Sequence, residues 1–389
     1  MKTFFEPKKL LNSQTFFDSC VQKACNLITT ACNQKNTSGT HECEITTIIL
    51  GLSGGPDSVF LLHVLNHIQK QNPKIKIIAV HLDHQWRQES WRDVEFCSQL
   101  CKSLNIEFIA RKAEELNLEV KFNGSKEELG RKMRRSLFNQ ILKEKNADFI
   151  ALAHHLQDQQ ETFFIRLLRG ASLSGLCCMQ EIDGNYIRPL LGINKKEIIE
   201  YLDSSRNREA RSNQIKYLID PTNISPDYLR NRIRSNIIPA LEQCDERFNS
   251  KFQTTLEQLN LEDDFLKSLA AQEFNNIFEQ PTNSNPSLVK SEPSLTNSKP
   301  KLANSESSLV NSSHWLGNLK KFKLLHPVLA RRVVLHWLIQ EKLAFNLSTN
   351  YLDEIIRFLN SPRGGNHVVG QNWEIHKKAC SFWVEKFKA

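Results

Sequence analysis

No C-x-x-C pair occurs among the ten cysteines of this 389-residue chain. Zinc ribbons and thioredoxin-like redox centres depend on that spacing, so its absence argues against both. Cys20, Cys25, Cys32 and Cys43 are irregularly spread, three residues separate Cys97 from Cys101, and Cys177 adjoins Cys178. In a reducing compartment such thiols read as small packed hydrophobes, not as a disulfide frame. Also missing is any apolar run long enough to cross a bilayer. The opening "MKTFFEPKKLLNSQ" holds no continuous apolar segment of signal-peptide length. A cytoplasmic protein with no membrane partner is the expectation. One further absence is local. "IILGLSGGPDSVFLL", Ile48 to Leu62, has the shape of a phosphate loop between a strand and a helix. Yet it lacks the lysine that a G-x-x-x-x-G-K-[ST] loop aims at a γ-phosphate.

What is present describes a globular chain, 40% hydrophobic and 24% charged, long enough for two domains. Lys plus Arg number 51 against 43 Asp plus Glu, a net charge of +8. The excess is concentrated in "RKMRR" (Arg131–Arg135) and "RNRIR" (Arg230–Arg234), patches suited to a polyanion.

From Ile45 the hydrophobic period alternates. "ITTIILGL", "KIKIIAVHLDH", "IEFIARKA" and "DFIALAHH" read as buried strands, each followed by a helical stretch. That alternation predicts an α/β fold, a Rossmann-like parallel sheet with helices on both faces, over residues 45–241. Residues 1–44 read as an N-terminal extension. Residues 242–389 read as a smaller, mainly α-helical domain closing on a hairpin, interrupted by a flexible Ser/Asn/Pro-rich segment at 281–313. Trp315, Trp337, Trp373 and Trp383 read there as core residues, not base-stacking platforms.

Ligands of such sheets bind beyond the carboxyl ends of the strands, where the Ser53–Ser58 turn, "HLDH" and "AHHLQD" all fall. Gly54 and Gly55 allow the backbone to approach a phosphate closely, and Ser53 and Ser58 add hydroxyl donors. Asp57 and Ser58 stand at a helix start, which attracts anions. The bland reading is a plain strand–turn–helix cap. Asp158, Glu161 and Thr162 are spaced i, i+3 and i+4 and share a helical face. Two carboxylates there could position Mg²⁺ and a cationic amine, or form a solvated face favoured by the helix dipole. His154 and His155, taken alone, read as structural.

"SGGPDS" matches the S-G-G-x-D-S signature of the PP-loop ATP pyrophosphatases, which split ATP between the α- and β-phosphates. Together with "HLDHQWRQES", "EELGRKMRRSLF", "AHHLQDQQET", "RLLRGASLSGL", "IRPLL" and "DPTNISPDYLRNRIRSNIIPAL", it resembles the tRNA(Ile)-lysidine synthetase family over roughly Ile45 to Leu241. A loop that cradles departing pyrophosphate needs no lysine aimed at the γ-phosphate. "HQWRQES" departs from the family in carrying Trp86 where a smaller apolar residue is usual.

The resemblance implies a C–N ligase using ATP and Mg²⁺. It would join free L-lysine to C2 of the wobble cytidine (position 34) of isoleucine tRNA with a CAU anticodon. The intermediate would be an adenylated cytidine, the products lysidine, AMP and pyrophosphate. It places ATP on Ser53, Gly54, Gly55, Pro56, Asp57, Ser58 and His84, and catalysis on Asp57, Asp158 and Glu161. Asp57, then Asp158, would hold the metal, and Glu161 with Asp158 would receive the lysine amine. Arg131, Arg134, Arg188, Arg230, Arg232 and Arg234 would contact phosphates of ATP or tRNA, and the C-terminal domain would bind tRNA. Oligomeric state stays open, a homodimer included. A tRNA thiolase with the same loop would want reactive cysteines, commonly as C-x-x-C. An inactive tRNA-binding protein would have no need of cleft acids.

Overall fold

The computed structural model describes residues 13–36, 45–116, 126–206, 215–218, 228–280, 314–343, 349–370 and 372–386. The segment expected to be flexible, 281–313, lies outside them. The chain divides into two units, Met1–Leu259 and Asn260–Ala389.

In the first unit α1 (Ser13–Asn36) precedes β1 (Thr46–Gly51), α2 (Pro56–Gln71), β2 (Ile75–Asp83), α3 (Trp91–Leu104) and β3 (Glu107–Lys112). Then come α4 (Lys126–Glu144), β4 (Phe149–Ala151), α5 (Leu156–Leu168), α6 (Leu173–Leu176), β5 (Ile182–Asp183), β6 (Tyr186–Ile187) and α7 (Lys195–Arg206). A helical stretch follows as α8 (Leu229–Arg232), a π-helical turn over Ile233–Ile237, and α9 (Ile238–Cys244). The sheet order is β3-β2-β1-β4-β6-β5, with every pair parallel except the β5–β6 hairpin.

The inner strands read as unbroken apolar runs because both faces of the sheet are covered. Ile48, Leu50, Ile77 and Ala79 pack with residues of α1, α2, α3 and α7 on one face. The alternate residues Ile49, Ile78 and Val80 pack against Leu137, Phe138 and Ile141 of α4 on the other. Helices on both faces of a parallel sheet are as expected. The chain order reverses between β1 and β4, and such a switch point opens a crevice at the strands' carboxyl ends.

Two boundaries differ from the sequence reading. The stretch taken for an extension, 1–44, carries a core helix. Cys20, Ala24, Ile28 and Ala31 of α1 are buried. Phe17 stacks on Tyr201 of α7 (centroids 5.1 Å apart) and meets Phe60 of α2 edge-on at 6.1 Å. Nor does the first unit end at 241. Beyond α9, Phe252 and Leu256 of α10 (Phe248–Ile277) still bury themselves with Leu156.

The second unit contains the end of α10, then β7 (Phe278–Glu279), β8 (Leu316–Asn318), α11 (Leu319–Phe322), α12 (Pro327–Gln340) and α13 (Thr349–Asn360). It closes with β9 (Gly365–Val368), β10 (Trp373–Lys378) and β11 (Ser381–Lys386). The terminal hairpin is part of a five-stranded antiparallel sheet, β7-β8-β11-β10-β9, beside the helices. Trp337 is fully buried among Phe278, Phe322 and Phe382, with Trp315 and Trp373 packed around that core. Trp383 instead stacks on His376 at 5.2 Å.

Among the described residues no helix is long and apolar enough to cross a membrane. None of the nine described cysteines is in a disulfide. Burial pushes the thiols of Cys20 and Cys101 up to about 12, as befits packed, unreactive sulfur.

Candidate active site

β1 and β4 are neighbours, with Leu50 paired to Ala151, so the connections leaving their carboxyl ends face each other. The first is the serine–glycine turn. The Ser53 N–H donates to Ser58 Oγ at 3.2 Å, and Ser58 Oγ donates to the Gly55 carbonyl at 3.0 Å. Gly54 has φ +83°, and the Leu218 N–H donates to its carbonyl at 2.8 Å. A Cβ on Gly54 would lie 2.7 Å from Leu218 Cδ1, so glycine is required for conformation and for space. Pro56 opens α2 where no N–H is needed, and the helix's first N–H groups have no intrahelical carbonyl to bond. That arrangement attracts anions.

The second connection runs from β4 into α5. Asp158 folds back so that its Oδ2 accepts the His155 N–H at 3.0 Å. His155 Nε2 stands 3.5 Å from that oxygen and 3.6 Å from Asp57 Oδ2. Lys195 Nζ, at the start of α7, donates to Asp57 Oδ2 at 3.1 Å. Amide contacts hold α7 in place for this. The Lys195 N–H donates to Gln157 Oε1 at 2.8 Å, and Gln157 Nε2 donates to Asn194 Oδ1 at 3.0 Å. Asp57, His155, Asp158 and Lys195 therefore form one alternating set of charges at the switch point.

These charges reinforce one another. Burial works against an ionised Asp57, but His155 and Lys195 hold its carboxyl below the usual range. Burial also opposes ionised Asp158, yet His155, His154 and Arg230 bring it down to about 2. Burial would lower His155, but Asp158 and Asp57 carry it above the ordinary histidine value. Below their ordinary value of 3.8 the two aspartates still ionise, so their contribution to stability is full above that pH. It is lost as pH falls through their lowered values. The His155 contribution is full below its ordinary 6.5 and is lost as pH rises through the raised value. The set is thus complete between pH 3.8 and 6.5. NMR titration of the His155 ring should give a midpoint above 6.5 that drops in Asp158→Asn; a wild-type midpoint at or below 6.5 contradicts the pairing.

Glu161 does not join this set. Its carboxylate is fully buried and accepts Arg230 Nε at 2.8 Å, Arg234 Nε at 2.5 Å and Arg234 Nη2 at 3.2 Å. Arg230 reaches it from α8 and Arg234 from the π-helical turn that follows. Arg232, between them, is exposed. Arg188 is buried after β6, giving Nη1 to the Gln180 carbonyl at 2.7 Å, while its Nε has no partner. Arg131 and Arg134 are exposed on α4. His84, past the end of β2, is brought down to about 4 by burial and Arg134. His154 is likewise held uncharged, at about 4, by burial and the nearby Arg188, Arg131 and Arg230, against the pull of Asp158. Its Nδ1 is buried and unpartnered.

Sequence reading passed over Lys195 and set His155 aside as structural. A lysine in the first turn of α7 opposes the helix dipole, which is a signal that it has an anionic partner elsewhere. Beside the cluster lies a pocket of about 500 Å³ lined by Gln157, Lys195, Lys196, Arg234, Glu242 and Glu246, among others. A second pocket, about 420 Å³, sits at the amino ends of β1–β3 around Ile45, Ile75 and Glu107, at the opposite end of the sheet. It brings no chemistry to the switch point.

Among the described residues no three His, Cys, Asp or Glu side chains converge as a closed metal site. The donors present fit a Mg²⁺ ion held jointly by a carboxylate and substrate phosphates. Asp57 Oδ1 is buried and unpartnered immediately beside the turn, a carboxylate oxygen of the kind such an ion would take.

The PP-loop domain family matches residues 28–241, more than half of the chain. The chain belongs to the PP-loop family. Within it, the chain is 34% identical over 254 residues to the tRNA(Ile)-lysidine synthase of Bacillus subtilis (strain 168), covering 63% of this chain and 51% of that one. It is 37% identical over 214 residues to the tRNA(Ile)-lysidine synthase of Clostridium perfringens, covering 54% of this chain and 43% of that one. The chain thus spans about half the length of these curated relatives. Among solved structures, the U34-tRNA thiolase NcsA from Methanococcus maripaludis superposes with a TM-score of 0.46 at 21% identity, over 60% of this chain and 79% of that one.

Proposed function

We propose that this PP-loop protein joins free lysine to C2 of the wobble cytidine (position 34) in the CAU anticodon of isoleucine tRNA. One observation carries the reading. The phosphate turn and the Asp57–His155–Asp158–Lys195 set meet at a single switch point, beside a pocket lined by both signs of charge.

In the first step the cytosine O2 attacks the α-phosphorus of ATP, and the bond to pyrophosphate breaks. The turn around Gly54 and Gly55 and the α2 N-terminus cradle the departing anion, and Lys195 adds a positive charge beside them. Mg²⁺, when bound on Asp57, offsets the charge developing on the phosphates. In the second step the lysine ε-amine attacks C2, the C2–O2 bond breaks and AMP leaves. That amine must lose a proton first, since its reference pKa is about 10.4. Asp158, whose side chain is 18% exposed, is the carboxylate placed to meet the ammonium. Uncharged His154 leaves its buried Nδ1 without a hydrogen-bond partner nearby. Glu161 acts through the arginines it holds, Arg230 and Arg234, which suit RNA or nucleotide phosphate. Lys196 and Arg234 against Glu242 and Glu246 give the pocket complementary partners for an amino acid's carboxylate and ammonium groups. In the second unit, exposed Lys320, Lys323 and Lys378 suit the backbone of the same tRNA.

The thiolase reading is weaker. Cys97 lies beneath the turn, its Sγ 3.3 Å from where a Gly54 Cβ would stand, but it is buried and burial pushes its thiol upward. Sulfur delivery needs the reverse. The test is incubation with ATP, Mg²⁺, labelled lysine and isoleucine tRNA bearing a CAU anticodon. Label should enter only tRNA with cytidine at position 34, with AMP and pyrophosphate released. ADP and orthophosphate as the only nucleotide products would refute the proposal.

A further inference from the structure

Trp86, the residue that departs from the family pattern, follows His84 at the carboxyl end of β2. Its ring stacks on the His84 imidazole, centroids 4.5 Å apart and planes 23° from parallel. Between the two, Gln85 adopts a left-handed backbone with φ +55°, secured by its N–H to Asp83 Oδ1 at 2.9 Å. A non-glycine residue in that conformation costs free energy and persists where its surroundings impose it. Here the reversal brings the rings before and after it face to face. The edge of the indole is fixed from the other side. A Cβ on Gly130 of α4 would lie 2.8 Å from Trp86 Cη2 and 3.3 Å from His84 Cε1, so the pair occupies the space a side chain would need. Despite these restraints Trp86 is 48% exposed.

The surroundings are basic. Arg134 lies one turn beyond Gly130, on the same side of α4, and its charge acts on His84. Arg131 acts in the same way on His154 at the switch point. Arginines thus run from the indole toward the reacting groups.

A fixed, half-open aromatic ring with arginines alongside is how proteins receive unstacked bases of single-stranded nucleic acid. Resting on the RNA reading given above, we propose that the open face of Trp86 is a stacking platform for an unpaired base of the anticodon loop, beside the base being modified. The adenine of ATP is the other source of a π-face. An enclosed apolar slot is the usual housing for a small ligand's ring, and this face is open.

The test uses the full chain, an isoleucine anticodon stem-loop RNA and ATP, with affinities measured separately for each. Trp86→Leu should weaken RNA binding by roughly 5- to 150-fold, the range for losing one base–aromatic stack. Trp86→Tyr should restore most of it, and ATP affinity should keep its wild-type value. Gly130→Ala, which displaces the ring without removing it, should weaken RNA binding in the same direction. Indole fluorescence should be quenched by RNA in the wild type, and the Trp86→Leu chain should lose that part of the quenching. Unchanged RNA affinity in Trp86→Leu overturns the inference, and so does a loss confined to ATP, which would assign the face to adenine. A wild-type chain that binds ATP but not the stem-loop would refute the RNA reading itself and the platform with it.

Discussion

Replacing Asp57 with asparagine should slow pyrophosphate release by roughly 10²- to 10³-fold, the scale of losing one preorganised electrostatic contact in an active site. The change keeps the side chain's volume and removes only its charge. Lys195 loses its partner at 3.1 Å, His155 loses the contact at 3.6 Å and keeps only Asp158, and the unpartnered Oδ1 is no longer a carboxylate oxygen for Mg²⁺. Nothing in the sheet depends on this carboxylate, so the protein should remain folded. A coupled pyrophosphate assay on purified variant reads the result directly. A wild-type rate would remove Asp57 from the chemistry.

The second large effect is on stability. Glu161→Ala leaves Arg230 and Arg234 facing a buried gap where both had bonded one carboxylate. Breaking a buried ion pair from one side costs about 3–5 kcal/mol. In a domain of this size that lowers the melting temperature by on the order of 10 °C. Glu161→Gln keeps the shape and accepts one of the bonds, so it should fall between. Were Glu161 instead the group that deprotonates lysine, alanine would impair only the lysine-dependent step. A melting temperature equal to wild type would therefore dismiss the clamp and restore the role first expected from the i, i+3 spacing with Asp158.

That contrast marks what the sequence could reveal. Strands covered on both faces must be apolar at consecutive positions, so "TTIILG" and "IKIIAVHLD" announce a parallel sheet directly. The turn after β1 is equally plain, because its glycines and serines are contiguous. The partners of Glu161 are 69 and 73 residues away, and Lys195 reaches across 138 residues to Asp57. Local pattern can mark Lys195 as misplaced at a helix start, but it does not name the partner of any of these side chains. The helix α1 went unread for another reason. Its buried face is built partly from Cys20, Ala24 and Ala31, small residues that give a weak apolar period. In the second unit β7 and β8 are two and three residues long, below what alternation can register.

The buried position of α1 bears on how the protein is cut for laboratory work. A fragment trimmed to the span matched by the PP-loop family would start at residue 28, about two-thirds of the way along that helix. It would discard Phe17 and lay Phe60 and Tyr201 open to water. Expression clones of the catalytic part should begin upstream of Ser13 and run at least to Leu259, keeping both the lid of the core and the first turns of α10.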